Sequence, residues 1–263
     1  MSPAPARTPV ALTVAGSDSG GGAGIQADLK TFHSLGVFGT SVITCVTAQN
    51  PRRLTAVFPL PPRLVSEQMA RVFEAFPIAS AKTGLLYNAA LIEAVADGFR
   101  RRRLRRLVVD PVLVATSGRQ LLEPGAVAVL GQVLIPLAEL VTPNRFEAEV
   151  LGQRQIRSLA DMRVAARALA DRFGVPFLIK GGHLPQTARA VDVLFDGHQL
   201  VEFSSARILR RRTHGTGCAF SAAIAAQRAL GHDLIESIRR AKRFVREAIR
   251  DRLRIGTYDA LNL

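Results

Sequence analysis

The chain has 263 residues, 48% of them hydrophobic, so it is long and apolar enough to bury a substantial core. Its two cysteines, Cys45 and Cys218, lie far apart, which excludes a disulfide-dense secreted fold and favours a reducing compartment. No stretch reaches the roughly 18 uncharged apolar residues of a membrane span, and the N-terminus lacks the apolar run of a signal peptide. We therefore expect a cytoplasmic protein without a membrane partner.

The formal net charge of +14 comes almost entirely from arginine, because 31 arginines stand beside only four lysines. The arginines concentrate at 100–106 and 239–254. A nucleic-acid-binding surface would explain this balance, but no aromatic interleaving or nucleic-acid motif accompanies it. Solvated arginine-rich faces are the simpler explanation, so we do not expect a nucleic-acid partner.

Short apolar runs alternate with longer amphipathic segments from start to finish, which predicts strands alternating with helices. The predicted strands span 10–15, 40–48, 79–83, 107–112, 139–142 and 176–180, followed by a hairpin of 191–195 and 200–203 around Asp196-Gly197. The predicted helices span 25–35, 64–76, 88–103, 145–151 and 159–173, and two further helices finish the chain.

This order predicts one α/β domain over residues 1–263, with a mostly parallel sheet covered by helices on both faces. Ligands bind beyond the carboxyl ends of the strands in such sheets. Polar and glycine-rich residues fall at those ends here, so we expect the functional site there.

The first strand leads into A-G-S-D-S-G-G-G-A-G-I-Q-A-D, residues 15–28. Gly22-x-Gly24-x-x-Ala27 matches the dinucleotide fingerprint formally, but the second strand lacks the acid that would hold a ribose, and no Walker A loop occurs. We expect the glycines instead to let backbone amides approach a small ligand. Asp28 follows one helical turn later; it could face that ligand or simply favour the start of the helix.

Gln49 stands at the end of the second predicted strand, in T-A-Q-N. Its amide offers a donor beside an acceptor, which matches the ring nitrogen and amino group of an aminopyrimidine. A solvated strand end is the alternative.

Two acids and an asparagine follow later strands. Asp110 ends a strand in V-V-D-P-V, and Asn144 and Glu147 stand three apart at a helix start in L-V-T-P-N-R-F-E. Asn144 and Glu147 could form a capping box. Asp110 and Glu147 could instead hold Mg²⁺ beside phosphates.

T-H-G-T-G-C, residues 213–218, opens a helix of small residues and is typical of an anion site. Gly215 and Gly217 would let the backbone wrap a phosphoryl group. The helix field would lower the pKa of Cys218, which could then accept a proton from an attacking hydroxyl. Cys45, inside an apolar strand, is predicted to be a packing residue. His214 could contact phosphate, although a polar helix-entry role is simpler.

Taken together, these stretches and I-K-G-G-H-L resemble the hydroxymethylpyrimidine/phosphomethylpyrimidine kinases of thiamine biosynthesis, within the ribokinase-like superfamily. The matching stretches run in family order from about residue 10 to 250. The resemblance implies a three-layer ribokinase-like α/β fold, use of ATP and Mg²⁺, and a homodimer. The implied activity is phosphorylation of 4-amino-5-hydroxymethyl-2-methylpyrimidine and then of its monophosphate.

The resemblance also implies residue roles. Gly16, Asp28 and Gln49 would hold the pyrimidine, with Leu85 and Val112 lining its pocket. Asp110 and Glu147 would serve the metal, and Lys180, Thr213, Asn144 and Thr216 would contact ATP. Gly215, Gly217 and Cys218 would form the anion hole and supply the general base.

Three positions depart from the family pattern. Thr116 stands where lysine is usual, Arg211-Arg212 replace a frequent Lys-Asn, and Leu85 replaces a common methionine. Pyridoxal kinase is the alternative activity within the same superfamily. A more remote alternative is a non-catalytic nucleic-acid-binding protein on a kinase scaffold.

Overall fold

A nine-stranded sheet, in the order β3-β2-β1-β4-β5-β6-β7-β8-β9, runs through the computed structural model, which describes residues 8–114, 120–184, 189–208 and 214–263. Its strands are β1 (Val10–Asp18), β2 (Phe38–Gln49), β3 (Leu54–Pro59), β4 (Ile78–Thr83), β5 (Leu107–Val109), β6 (Leu140–Val141), β7 (Phe177–Ile179), β8 (Arg189–Phe195) and β9 (Leu200–Ala206). The strands from β2 to β7 in this order pair in parallel, and β3, β8 and β9 add antiparallel edges.

Helices cover both faces of this sheet. They are α1 (Gly24–Ser34), α2 (Pro62–Ala75), α3 (Ala89–Arg102), α4 (Ala126–Val129), α5 (Arg145–Gly152), α6 (Leu159–Phe173), α7 (Thr216–Ala229) and α8 (Leu234–Arg250). A π-helical turn (Leu130–Leu134) and a 3-10 turn (Ile135–Leu137) extend α4. Within the described ranges, no helix has both the length and the apolar character needed to cross a membrane.

Side-chain alternation along the strands separates two cores. Leu12 and Val14 of β1 pack in the core shared with α2, α3, α5 and α6, whereas Ala11 packs with α1, α7 and α8. Successive residues of β5 divide the same way, with Val109 in the first core and Val108 in the second. Because residues of a strand point alternately to opposite faces, the sheet buries both faces. The predicted three-layer α/β fold is confirmed.

Several elements lie outside the sequence predictions. Strand β3 was not predicted, yet it pairs antiparallel with β2 and forms one sheet edge. Helix α4 and the two turns that extend it were not predicted either. The prediction that helices finish the chain is wrong, because a hairpin of β10 (Leu253–Ile255) and β11 (Tyr258–Ala260) follows α8. Both strands of this hairpin are short, and β10 is exposed while β11 is half-buried, so neither has the apolar run that identifies a buried strand.

Helix α7 packs close to the sheet because its buried residues are small. Ala222, Ala223, Ala225 and Ala226 are fully buried, and the hydroxyl of Ser80 on β4 donates to the Ala225 carbonyl at 2.6 Å. This close contact holds α7 against β4.

A buried ion pair joins α1 to β4 beneath the same edge. Lys82 Nζ lies 2.8 Å from Asp28 Oδ2, and both side chains are fully buried. Thr13 Oγ1 donates to the same carboxylate oxygen at 2.6 Å. Burial disfavours the charged lysine, but the negative charge of Asp28 outweighs it and holds the pKa of Lys82 above its ordinary value. Burial raises the pKa of the Asp28 carboxyl, whereas the Lys82 ammonium and the Thr13 hydroxyl lower it, so each partner supports the charge of the other against burial.

Removing one partner of this pair should be costly, because it leaves the other charge buried and uncompensated. We expect Lys82→Met to lower the free energy of unfolding by about 3–5 kcal/mol, measured by urea denaturation. The double variant Lys82→Met/Asp28→Leu should recover much of that loss. Arg63→Ala, which breaks an exposed pair with Glu67, is the control and should leave the midpoint unchanged. Equal midpoints for Lys82→Met and wild type would contradict the assignment.

Candidate active site

The first glycine loop is organised by an acid that the sequence analysis did not single out. Asp18, at the end of β1, accepts from the amides of Gly20 (2.8 Å), Ala23 (2.9 Å) and Gly22 (3.2 Å). Burial opposes its ionisation, but the nearby His214 side chain and hydrogen bonds from the amides of Gly20 and Ala23 hold the pKa of Asp18 below its ordinary value. The prediction that the loop amides are offered to a ligand is wrong for these three, because Asp18 already uses them.

Gly16 stands where β1 has no room for a side chain. A β-carbon there would lie 2.7 Å from Cys45 Sγ and 3.5 Å from Leu85 Cδ2. Leu85 is therefore beside Gly16, as the resemblance implies for two residues of one pocket. Burial raises the pKa of the Cys45 thiol to about 11, and the side chain is fully buried, so Cys45 is a packing residue as predicted.

Gln49 contacts the loop before α7. Its backbone is held by the Ser19 hydroxyl, which donates to the Gln49 carbonyl at 2.8 Å and accepts from the Gln49 amide at 2.9 Å. The side-chain nitrogen of Gln49 lies 2.8 Å from His214 Nε2, which is also 3.5 Å from Asp18 Oδ2. His214 therefore connects the loop after β1, the end of β2 and the start of α7. Its predicted role as a simple helix-entry residue misses this position.

Cys218 lies where two helices begin. Gly215 precedes α7 with φ +83°, and a β-carbon on it would come within 1.8 Å of the Gly22 carbonyl oxygen, so only glycine fits. This contact brings the N-termini of α1 and α7 together. The backbone amide of Gly24, the first residue of α1, donates to the sulfur of Cys218.

The predicted low pKa of Cys218 is wrong for the protein without ligands. Burial raises the pKa of this thiol to about 11; the Lys82 ammonium lowers it, and the carboxylates of Asp28 and Asp110 raise it. The sequence argument counted the helix field but not the desolvation or the two nearby acids. The thiol therefore keeps its proton at neutral pH.

Lys180 and Asp110 form a second ion pair at the start of α7. Lys180 Nζ lies 2.9 Å from Asp110 Oδ1, and the Ser221 hydroxyl on α7 donates to Asp110 Oδ2 at 3.0 Å. The same ammonium would be 3.4 Å from a β-carbon on Gly217, which shows how close it lies to the helix start. Burial opposes its charge, but Asp110 and Glu147 keep the pKa of Lys180 above its ordinary value. A fixed cation thus adds to the α7 amides.

Glu147 and Asn144 form the capping box that the sequence allows. Asn144 Oδ1 accepts from the Glu147 amide at 3.0 Å, and Glu147 Oε2 accepts from the Asn144 amide at 2.7 Å. Glu147 Oε1 accepts from the Leu113 amide at 3.3 Å. Burial raises the pKa of Glu147 to about 7; Lys180 opposes this and Asp110 adds to it. The cap and a site role are therefore compatible, since this carboxyl lies beside Asp110 and Lys180.

The donor set fits a weakly held Mg²⁺. Among the described residues, no three His, Cys, Asp or Glu side chains are grouped closely enough to hold an ion alone. Asp110 and Glu147 give two neighbouring carboxylates; burial is the main cause of the raised pKa of Glu147, and the Asp110 carboxylate adds a repulsion that a cation would relieve. Mg²⁺ characteristically takes one or two carboxylates, with waters and phosphate oxygens completing its shell.

The remaining predicted residues divide between described and undescribed positions. Val112, just after β5, has φ +46°, a conformation that β-branched residues rarely adopt. Strained backbone conformations of this kind cluster at functional sites. Thr216 is the first residue of α7. Thr213 and the departures Thr116 and Arg211-Arg212 lie outside the described residues.

Segments far apart in the sequence converge at this edge of the sheet. His214 links Gln49 to the α7 loop, while Lys180 and Ser221 link Asp110 to the helix that begins beside Cys218. Asp28 is the exception to its expected position: it is buried against Lys82, beneath the loop. Lys82 was missed, although a lysine inside the apolar strand I-A-S-A-K-T is itself a signal of a buried partner.

Comparison with known proteins agrees with this geometry. The sequence profile of the family described as phosphomethylpyrimidine kinase matches residues 18–261. The hydroxymethylpyrimidine/phosphomethylpyrimidine kinase of Rhizobium meliloti (strain 1021) is 50% identical over 95% of this chain and 94% of its own. The thiamine biosynthesis bifunctional protein ThiED of Geobacter sulfurreducens is 51% identical over 91% of this chain, which spans only 49% of that protein.

Solved structures of two kinases share the fold. The ADP complex of Bacillus subtilis pyridoxal kinase superposes with a TM-score of 0.90 at 36% identity, covering 97% of each chain. Phosphomethylpyrimidine kinase from Clostridium difficile 630 superposes with a TM-score of 0.82 at 37% identity, covering 92% of this chain and 100% of that one. Because the profile match covers nearly the whole sequence and includes the glycine loop, Asp110, Glu147 and Cys218, the chain belongs to the phosphomethylpyrimidine kinase family.

Proposed function

We propose that the protein transfers the γ-phosphoryl group of ATP to the hydroxymethyl group of 4-amino-5-hydroxymethyl-2-methylpyrimidine, and then a second one to the resulting monophosphate. The observation that carries this proposal is the meeting of Cys218, Lys180 and Asp110 at the start of α7, next to a loop that holds Gln49. A phosphoryl site and a heterocycle-reading amide are thereby neighbours.

The phosphate side of the proposed site is the start of α7. The helix field favours negative charge at this end of the helix. Gly217 has no side chain to separate these amides from Lys180. We assign the phosphate contacts to Lys180, Thr216 and the Gly215–Gly217 turn, with Asn144 and Thr213 as further ATP contacts. Mg²⁺ held by Asp110 and Glu147 would neutralise charge on the phosphate oxygens.

The acceptor side of the proposed site is built by Gly16, Leu85, Gln49 and Val112. Gly16 and Leu85 are adjacent, and Gln49 ends the strand next to β1. We assign the ring to this space and the two-point contact with its amino group and ring nitrogen to Gln49. For Asp28 we propose a contribution through its ion pair with Lys82, because its carboxylate is fully buried.

In the first step, the hydroxyl oxygen forms a bond to the γ-phosphorus while the bond from that phosphorus to ADP breaks. The Cys218 thiol first releases its own proton to solvent, and the resulting thiolate then accepts the hydroxyl proton. The Gly24 amide and the Lys82 charge stabilise the thiolate that accepts it. In the second step, the attacking atom is a phosphate oxygen, which is already ionised near neutral pH. That step requires no proton acceptor.

The two steps should therefore respond differently to loss of the thiol. We expect Cys218→Ala to lower kcat for the alcohol about 10²–10⁴-fold, as for removal of a general base, and to lower kcat for the monophosphate much less. A coupled ADP-release assay with each acceptor measures both. Cys45→Ala, at a buried packing position, is the matched control and should preserve the ratio of the two rates. Unchanged turnover of the alcohol by Cys218→Ala would reduce Cys218 to a packing residue.

Pyridoxal kinase is the second candidate, because a pyridoxal kinase is among the structures most similar to this chain. Gln49 separates the two activities, since pyridoxal has no amino group beside its ring nitrogen. We expect Gln49→Ala to raise KM for the aminopyrimidine about 10–100-fold, the loss of two hydrogen bonds, and to leave KM for ATP unchanged. The exposed Gln199→Ala is the control. Wild-type preference for pyridoxal, or equal weakening of pyrimidine and ATP, would contradict the assignment.

We also propose that the chain forms one domain and assembles as a homodimer. One continuous sheet and helices that pack across it support a single domain.

Large apolar side chains are exposed near one edge of the sheet, on β2, β3 and at α2: Phe38, Val46, Phe58, Leu64 and Phe76. Val46 pairs with Phe58 across the strands, and Phe38 stacks on Phe76 at 5.6 Å. Exposed apolar patches of this kind mark association surfaces. The two free thiols support a reducing, cytoplasmic location.

The dimer proposal has its own test. Phe58 is 67% exposed on edge strand β3, so a charge there should disrupt association without disturbing the core. We expect Phe58→Glu to give the monomer mass in size-exclusion chromatography with light scattering. Val164→Glu, at a 46% exposed apolar position of α6, should keep the wild-type mass. A wild-type monomer, or a dimer that survives Phe58→Glu, would contradict this interface.

A further inference from the structure

His214 holds a position that neither phosphate binding nor proton transfer explains. Its Nε2 atom lies 2.8 Å from the side-chain nitrogen of Gln49 and 3.5 Å from Asp18 Oδ2. Its Cδ2 atom would be 3.3 Å from a β-carbon on Gly22, so the ring packs directly on the first glycine loop. The imidazole thus touches the residue that reads the heterocycle, and it does so from outside the phosphate site.

The two neighbours make opposite demands on one ring nitrogen. An amide NH₂ group can only donate, so its contact requires a bare Nε2 and therefore a neutral imidazole with its proton on Nδ1. The Asp18 carboxylate can only accept, so it favours a proton on the same Nε2. When His214 Nε2 carries a proton, the Gln49 amide rotates by 180°, so that its oxygen faces the imidazole. The rotation exchanges the amide nitrogen and oxygen and leaves the other heavy atoms in place.

We propose that His214 is a positioning residue that sets the orientation of the Gln49 amide and thereby determines which heterocycle edge the site accepts. This inference rests on the proposed function, because it concerns how the acceptor is read.

The two orientations present opposite patterns to a ligand. With a bare Nε2, one N–H of Gln49 donates to His214, the other can donate to a ring nitrogen, and the oxygen can accept from an adjacent amino group. This matches an aminopyrimidine edge. With a protonated Nε2, the oxygen meets the ring nitrogen and the NH₂ meets the amino group, so both contacts become repulsive. The neutral imidazole therefore selects the aminopyrimidine.

The charges around the imidazole define what would shift this choice. Among the described residues, the acid facing it is Asp18, at the end of β1. Lys30 of α1 donates to the Gly21 carbonyl at 2.8 Å and holds the other side of the same loop. Arg210, Arg211 and Arg212 precede it in sequence and lie outside the described residues.

The test compares His214→Gln with His214→Leu. A glutamine places an uncharged acceptor near the Nε2 position, whereas leucine removes the acceptor. We expect His214→Gln to keep KM for the aminopyrimidine within about 3-fold of wild type. His214→Leu should raise this KM about 3–10-fold and leave KM for ATP unchanged.

The controls separate this role from others. His198→Gln, in the exposed turn between β8 and β9, should behave as wild type. Equal KM for the pyrimidine in wild type and His214→Leu, or the same rise in KM for His214→Gln as for His214→Leu, would overturn the inference while leaving the kinase activity intact. Absence of pyrimidine-dependent ADP release by the wild type would instead overturn the proposed function.

Discussion

The backbone of Gly215 lies so close to the Gly22 carbonyl oxygen that a single β-carbon would approach it to 1.8 Å. This contact is what brings two distant segments, the loop after β1 and the loop before α7, to one point. With the loops in contact, the Gly24 amide reaches the sulfur of Cys218, and His214 reaches Gln49. The proposed phosphate site and the proposed heterocycle site therefore both depend on this contact. Displacing either loop would disturb both sites.

Around this contact, two opposing effects set the charge of each ionisable side chain: burial, which disfavours the charged form, and the charges of neighbouring side chains. Lys82 is fully buried and Lys180 largely so, yet each keeps its charge because a carboxylate lies within 3 Å, at 2.8 and 2.9 Å. Burial is also the main reason that the Cys218 thiol is harder to ionise; the Lys82 ammonium opposes it, and the Asp28 and Asp110 carboxylates add to it. The acids that keep the lysines charged therefore also favour the protonated sulfur.

The order of strands and helices could be predicted from the sequence because apolar runs and amphipathic patterns report burial directly. The site edge could also be predicted, since the glycine loop, Asp110 and T-H-G-T-G-C all follow strands or open helices. What could not be predicted depends on partners far away in sequence. The edge strand β3 depends on β2 for its hydrogen bonds, and Lys82 depends on Asp28 for its charge. Asp18 was overlooked because nothing local distinguishes an acid that binds three amides of its own loop from one that faces solvent.

That use of the loop amides has a consequence for the energetics of ligand capture. A glycine-rich segment ordinarily has many accessible conformations, and fixing it when a ligand arrives would consume part of the binding free energy. Here the Asp18 carboxylate and the Ser19 hydroxyl hold the segment before any ligand is present. The loss of conformational entropy therefore falls on folding, where the large buried core offsets it. The acceptor therefore meets a loop that is already ordered. The binding free energy from its contacts is not reduced by the cost of ordering that loop.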